Sequence, residues 1–359
     1  MKKILKTLTL SLIFIPFIAG CKAPVFYEIM RDVAPEEATV NGVITSVTRY
    51  TSSSDEKLVT FSSDGLIWKD ANGTAHGQWS CFPDSNQLSG KIIKTAADDS
   101  NLYVVTITFH EDVEKGLNLP DAATLWCYAE ESWNKVENTP ELLPGNFNIF
   151  CTNDVEKDNR SAYLRIGDKV YKLNGTTFNE SNPQDGNYNS VVSGDNDIFF
   201  ESTASVKTSV KNGNYIYWGE GSKLYYSNNT SNPKAEGNKK LALDAGTDIS
   251  CLAATKDALL IGRGDFSNSL ISKGGIAKTS LKDGVPGNSL ESFSTNATSQ
   301  LASVYQIYTL LVANPEQTEL EASIYASMGF KGSGSSTSVS YDNIGLWSYY
   351  PARGNWNRE

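Results

Sequence analysis

Leu125-Trp126-Cys127-Tyr128 followed by Trp133-Asn134 recurs far along the chain as Leu346-Trp347-Ser348-Tyr349 followed by Trp356-Asn357. Each copy closes a run of four short strand-like segments, so the two mark equivalent positions in a repeated unit. Four antiparallel strands joined by tight turns make one small twisted sheet that cannot bury both of its faces alone. It has to stack on further copies of itself, and that requirement constrains the fold more than any other feature of the sequence.

Six copies can be placed. Residues 44–82 read as a strand, a polar turn, a strand ending at Phe61, a Ser63-Asp64-Gly65 turn, a strand carrying Trp68, and a last strand near Trp79-Ser80-Cys81. The pattern repeats over 92–137, 148–179, 206–227, 249–278 and 307–359, with Trp68/Trp79 and Tyr171/Phe178 as degenerate versions of the Trp pair. Copies spaced by roughly 45–70 residues, with aromatic and apolar faces, predict an all-β chain folded as a six-bladed β-propeller. Residues 187–201 fit no copy and are the candidate strands of a seventh blade; a β-sandwich pair or a parallel β-solenoid is the competing architecture. Blade 6 ends on its own outer strand and blade 1 begins near Ile44, so the ring is expected to close by packing of complete sheets, without a borrowed strand.

Lys2, Lys3 and Lys6 precede an apolar run from Leu8 to Ile18 that is too short for a comfortable transmembrane helix, which is the layout of a secretory signal. The junction Ile18-Ala19-Gly20-Cys21 resembles the bacterial lipobox, whose cysteine is acylated before cleavage. The resemblance implies that residues 1–20 are removed, that Cys21 becomes a lipidated N-terminus, and that 21–42, with Pro24, Pro35 and Glu36-Glu37, tether a single propeller domain of residues 43–359. Together with the strand pattern, this makes the chain similar to bacterial lipoproteins with a β-propeller body, spirochaete ones among them. That similarity implies a place in a bacterial cell envelope, anchored to the periplasmic or surface face of a membrane.

Loss of residues 1–20, which hold three lysines and no acids, takes the formal charge from −10 to −13. Phosphate neutralisation needs a clustered basic surface, and none is visible, so nucleic acid is not an expected partner. Membrane attachment then falls to the acyl chains, which contribute roughly 0.8 kcal/mol per buried methylene. Cys81, Cys127, Cys151 and Cys251 match no disulfide framework or metal knuckle and are expected as buried free thiols.

Motifs that carry chemistry are few. Ser62–Trp68 is similar to the Asp-box turn of sialidase-like propellers but is one residue short and has no second copy, so Asp64 and Gly65 read as turn formers. His76 and His110 fall in loop or strand-end contexts and read as solvated, with no GxSxG nucleophile motif to accompany them. Asp154, Glu156 and Asp158 alternate as in a Ca²⁺ loop but lack its central glycine and terminal glutamate; a solvated acidic turn is the competing reading. The clusters Tyr215-Tyr217-Trp218, Tyr225-Tyr226 and Trp347-Tyr349-Tyr350 are expected to divide between interblade core and binding surface, with Trp126, Trp218 and Trp347 in the core. No catalytic residue and no cofactor site emerges.

The expected function is therefore a non-catalytic, membrane-tethered binding or assembly platform with a protein partner in the envelope. The alternative is a carbohydrate-active enzyme or a glycan-binding lectin that uses loop acids and exposed aromatics. Replacing Cys21 by Ser should move the protein from the detergent phase to the aqueous phase in a partitioning assay; unchanged partitioning would remove the lipid anchor.

Overall fold

The computed structural model describes residues 39–359 except 41, 43, 53–54, 74–75, 99, 115, 152–154, 156–159, 167–168, 177–205, 230–232, 265–273, 294–305 and 330–343. The chain is an all-β, six-bladed propeller. Blade 1 is β1 (Thr48–Ser52), β2 (Asp55–Ser62), β3 (Gly65–Asp70) and β4 (Ser80–Cys81), paired in that order. Blade 2 contains β5 (Lys91–Ala97), β6 (Leu102–Ile107), a separate hairpin of β7 (Phe109–Asp112) and β8 (Leu117–Pro120), then β9 (Thr124–Ala129) and β10 (Ser132–Lys135); its sheet runs β5-β6-β9-β10. Blade 3 has β11 (Phe147–Cys151), β12 (Ala162–Ile166) and β13 (Lys169–Lys172) among the described residues. Blade 4 is β14 (Val206–Asn212), β15 (Tyr215–Glu220), β16 (Lys223–Ser227) and β17 (Lys240–Asp244). In blade 5, β18 (Ile249–Ala254), β19 (Ala258–Arg263) and β20 (Gly275–Lys282) are followed by short β21 (Val285–Pro286) and β22 (Glu291–Ser292), which both pair with β20. Blade 6 is β23 (Gln306–Val312), β24 (Ile324–Gly329), β25 (Gly345–Tyr350) and β26 (Asn355–Arg358). The candidate seventh-blade segment 187–201 lies outside the described residues, as does nearly all of the expected fourth strand of blade 3 at 176–179.

The middle strands are buried on both faces, which is why they read as continuous apolar runs. In β6, Leu102 and Val104 pack toward blade 1 while Tyr103 and Val105 pack toward blade 3. In β19, Leu259 and Ile261 face blade 4 and Leu260 faces blade 6. The period of 2 thus sends alternate side chains into two different interblade cores.

First strands form the inner ring, where β1 touches β5, β5 touches β11, β14 touches β18 and β18 touches β23. There the blades are joined by polar side chains. Ser46 Oγ and Thr48 Oγ1 lie 3.0 and 2.9 Å from Thr95 Oγ1, the Leu252 amide donates to Thr208 Oγ1 at 3.0 Å, and Ser250 Oγ donates to the Ile307 carbonyl at 2.7 Å. Register shifts recur in the first strands of blades 2, 4, 5 and 6, bending each inner strand.

The repeated Trp motif builds one structure twice. Tyr128 pairs with Trp133 and Tyr349 with Trp356, with ring centroids 5.0 and 5.6 Å apart. A phenylalanine just after the last strand of the preceding blade completes each cluster: Phe82 lies 5.7 Å from Trp133, and Phe293 lies 5.8 Å from Trp356. Each is pinned by its amide to the third strand of its own blade, at Leu66 O and Ile276 O. The indole N–H donates back across the interface, from Trp133 to Pro83 O and from Trp356 to Phe293 O, both at 3.1 Å. Trp126 and Trp347 occupy equivalent third strands and face the preceding blade, but Trp347 is fully buried while Trp126 is half-buried with its indole N–H on Thr106 Oγ1. Replacing Trp347 by Ala should therefore cost about 3–5 kcal/mol in urea unfolding, and Trp126→Ala markedly less; equal losses would contradict this packing.

Candidate functional site

Blade 6 and blade 1 meet without a strand exchanged between them: each sheet carries its own four strands. The seam is nonetheless more than apolar packing. The Glu359 carbonyl accepts the amides of Thr39 and Val40 at 2.8 and 2.9 Å, and Val40 and Ile44 are buried with Leu58, Leu346 and Tyr350.

The Glu359 side chain is the centre of a buried polar cluster. Its Oε2 accepts Lys69 Nζ at 2.8 Å, Trp79 Nε1 at 2.7 Å and the Gly77 amide at 3.1 Å; its Oε1 accepts Ser348 Oγ, with Tyr350 OH at 3.3 Å. Lys69 also donates to Tyr350 OH, which is bonded to Tyr325 OH at 2.8 Å. Burial alone would raise the Glu359 carboxyl, but the hydrogen bond from His76 and the charge and hydrogen bond of Lys69 outweigh it and hold the group below the usual carboxylate range. Burial, reinforced by the Glu359 charge, raises the phenols of Tyr325 and Tyr350 well above their ordinary value.

Ser348, His76 and Glu359 have the composition of a catalytic triad, but their geometry is not one. Ser348 Oγ is 2.7 Å and Glu359 Oε1 3.5 Å from the same imidazole nitrogen, Nδ1. A triad needs the nucleophile on one nitrogen and the carboxylate on the other. Asn357 Nδ2, a donor, lies 3.0 Å from His76 Nε2, so that nitrogen accepts and Nδ1 carries the proton. The serine hydroxyl points its proton at a carboxylate, inside a cluster closed to solvent. His76 is thus corrected from a solvated loop histidine to a buried one: its partners come from blade 6, more than 270 residues away in sequence.

Other expected positions resolve as follows. Cys21 and the weak Ca²⁺ candidates Asp154, Glu156 and Asp158 lie outside the described residues. Ser63 and Asp64 form the two-residue β2–β3 turn, with the Asp64 amide on Ser62 Oγ, and Gly65 opens β3 at φ 124°, where a side chain would be strained. All four body cysteines are free; Cys127 and Cys251 are buried as expected, whereas Cys151 is half-buried and Cys81 exposed, because β4 is a short edge strand. Trp218 is fully buried and stacks on Tyr225 at 5.9 Å, Lys239 covers Tyr225, and Tyr215 and Tyr226 pack against the blade 4–5 core.

The feature that the repeat pattern missed is the β7–β8 hairpin, inserted where blade 1 has the two-residue Ser63-Asp64 turn. Three large apolar side chains stand in solvent on it, Phe109 at 49%, Leu117 at 54% and Val113 at 82% exposure. Glu111, Asp112 and Glu114 lie among them. The base is held by Asp121, which takes Thr108 Oγ1 and His110 Nδ1 at 2.7 Å each and whose amide donates to Thr108 O. Those two hydrogen bonds keep the Asp121 carboxyl below its ordinary range. The sixteen residues 108–123 between β6 and β9 were the available signal.

No family model matches the chain, and no curated protein matches it. Among solved structures it is similar to the tricorn protease (12% identity, TM-score 0.45, covering 88% of this chain and 26% of that one). It is also similar to a putative oxidoreductase (glucose dehydrogenase) of Thermus thermophilus (9% identity, TM-score 0.43, 86% and 98%). A third is PorZ, a surface component of the type-IX secretion system of Porphyromonas gingivalis (12% identity, TM-score 0.36, 89% and 39%). The chain spans about a quarter of the tricorn protease. At these scores the likenesses bear on neither activity nor ligand.

Replacing Glu359 by Gln should cost about 3–5 kcal/mol at neutral pH, because it leaves the buried Lys69 charge without its carboxylate. A carboxyl depressed by folding stabilises above its unfolded pKa and loses that contribution as pH falls through the folded value. Wild-type stability should therefore drop at acid pH, over a range where Glu359→Gln changes less; parallel acid curves would show that Glu359 does not hold the seam.

Proposed function

We propose that this protein is a membrane-tethered binding or assembly platform of a bacterial cell envelope, anchored through acylated Cys21, whose propeller presents the β7–β8 hairpin to a protein partner. The observation that carries this reading is the exposure of Phe109, Val113 and Leu117 on a hairpin whose base is closed by Asp121. Turn tips ordinarily carry polar residues, so an 82% exposed valine at this tip is a recognition feature rather than a packing one. A rigid scaffold with a projecting insertion is the usual way a propeller acquires a partner without altering its core. The only Ser-His-Glu grouping among the described residues is occupied in holding the ring closed, which supports a binding role.

The flanking acids favour a partner whose apolar pocket is rimmed by Lys or Arg. Replacing Val113 and Leu117 together by Asp should leave the thermal midpoint unchanged and remove, by at least about tenfold, the partner cross-linked by wild-type protein in its own envelope, as loss of one or two interface anchors implies. An unchanged cross-linked set would overturn the hairpin as the recognition element.

A further inference from the structure

The β7–β8 hairpin is a sheet of two strands only, and its register decides which backbone groups stay open. The Asp121 amide donates to Thr108 O, so Thr108 and Asp121 form a hydrogen-bonded pair. In an antiparallel ladder such pairs alternate, which makes His110↔Leu119 and Asp112↔Leu117 the next two and leaves Phe109↔Pro120 and Glu111↔Asn118 as the non-bonded ones. Pro120 fits that phase, since it has no N–H to give. The N–H and C=O groups of Phe109 and Glu111 therefore point out of β7, away from β8, and neither residue's backbone meets a partner among the described residues. On the far edge β8 offers Asn118 but has no donor at Pro120, a common way to blunt an edge strand. One edge of the hairpin is open and the other is half closed.

Every residue of both strands is exposed or half-buried, so no blade covers either face. A two-stranded ribbon in water is marginal by itself and gains from a third strand. Residues 109–121 carry Glu111, Asp112, Glu114 and Asp121 against Lys115. Two copies of β7 laid edge to edge would bring these acids together, which disfavours self-pairing. A strand with Lys or Arg opposite Glu111 and Asp112, and an apolar residue opposite Phe109, meets the same edge with opposite charge. Granted that the hairpin is the recognition element, we propose that the open edge of β7 takes an extended, basic segment of a partner protein as a third strand, bonded to the main chain of Phe109 and Glu111.

The test uses the full chain and a capped Lys-Lys-Thr-Val-Thr-Val peptide, with Glu-Glu-Thr-Val-Thr-Val as its charge control. Two further versions of the basic peptide carry N-methyl groups on alternate amides, one in each phase. Binding is followed by calorimetry, and hydrogen exchange is read at single amides of β7. The expected result is saturable binding of the basic peptide and not of the acidic one, lost tenfold or more with one N-methylation phase and kept with the other, because only one set of its amides faces β7. Exchange at Phe109 and Glu111 should slow tenfold or more on binding, and that at His110, already bonded to β8, far less. Glu111→Pro removes an outward N–H and no β7–β8 bond, so it should abolish binding at an unchanged thermal midpoint with His110 still protected; Asn118→Pro, on the other edge, should not. No saturable binding, N-methylation phases that act alike, or equal binding by Glu111→Pro would overturn strand addition. So would a concentration-dependent dimer of the wild type, seen in sedimentation and abolished by Glu111→Pro, since the edge would then pair with a second copy. The hairpin reading itself is judged separately by cross-linking: an envelope partner lost on replacing Val113 and Leu117 by Asp but kept by Glu111→Pro leaves the hairpin as the recognition element and removes the third strand.

Discussion

A ring of stacked sheets has one interface that the covalent chain does not cross, and here it is held by a single buried carboxylate. Glu359 gathers Lys69, Trp79 and the Gly77 amide from blade 1 and Ser348 and Tyr350 from blade 6, so both edges of the seam bond to one group. Its backbone carbonyl takes the amides of Thr39 and Val40 in addition. A buried charge with so many donors is costly to disturb from either side, because every lost partner leaves an unsatisfied group in a low-dielectric interior. The cluster therefore specifies which faces meet as well as holding them together.

Elsewhere the ring depends on apolar faces and the chain itself. Middle strands with two buried faces let each blade serve two cores, so no blade is stable by itself and none can be removed without exposing its neighbours. The paired Phe-Tyr-Trp clusters between blades 1 and 2 and between blades 5 and 6 show how the repeat adds direction to this packing. Each indole N–H returns a hydrogen bond to the preceding blade, which satisfies the one polar atom of a large apolar side chain. Close approach matters at the inner ring too: a Cβ on Gly262 would meet Cys251 Sγ at 2.3 Å and Ile307 at 2.9 Å, so only glycine lets blade 5 lie against blade 6 there.

With the cores so committed, the exposed apolar side chains of the β7–β8 hairpin stand apart from the blade packing. The β7–β8 hairpin adds an apolar, acid-flanked projection outside the interblade cores.

Legible in the sequence were most of the strands, a six-blade reading with a seventh left open, and the equivalence of the two Trp motifs, because these follow from side-chain alternation and turn chemistry that act over a few residues. Ser63-Asp64-Gly65 could be placed as a turn, and Trp126 and Trp347 as third-strand residues, for that reason. Burial could not be read the same way. His76 sits in a polar loop that reads as solvated, and Trp126 shares its motif with Trp347 yet is only half-covered. Whether such a residue is buried depends on what the neighbouring blade brings to it. The Glu359 cluster was decided only by ring closure, and the phenylalanines that complete the aromatic groups by the stacking of consecutive blades; both set residues from different blades side by side at separations that no local pattern records.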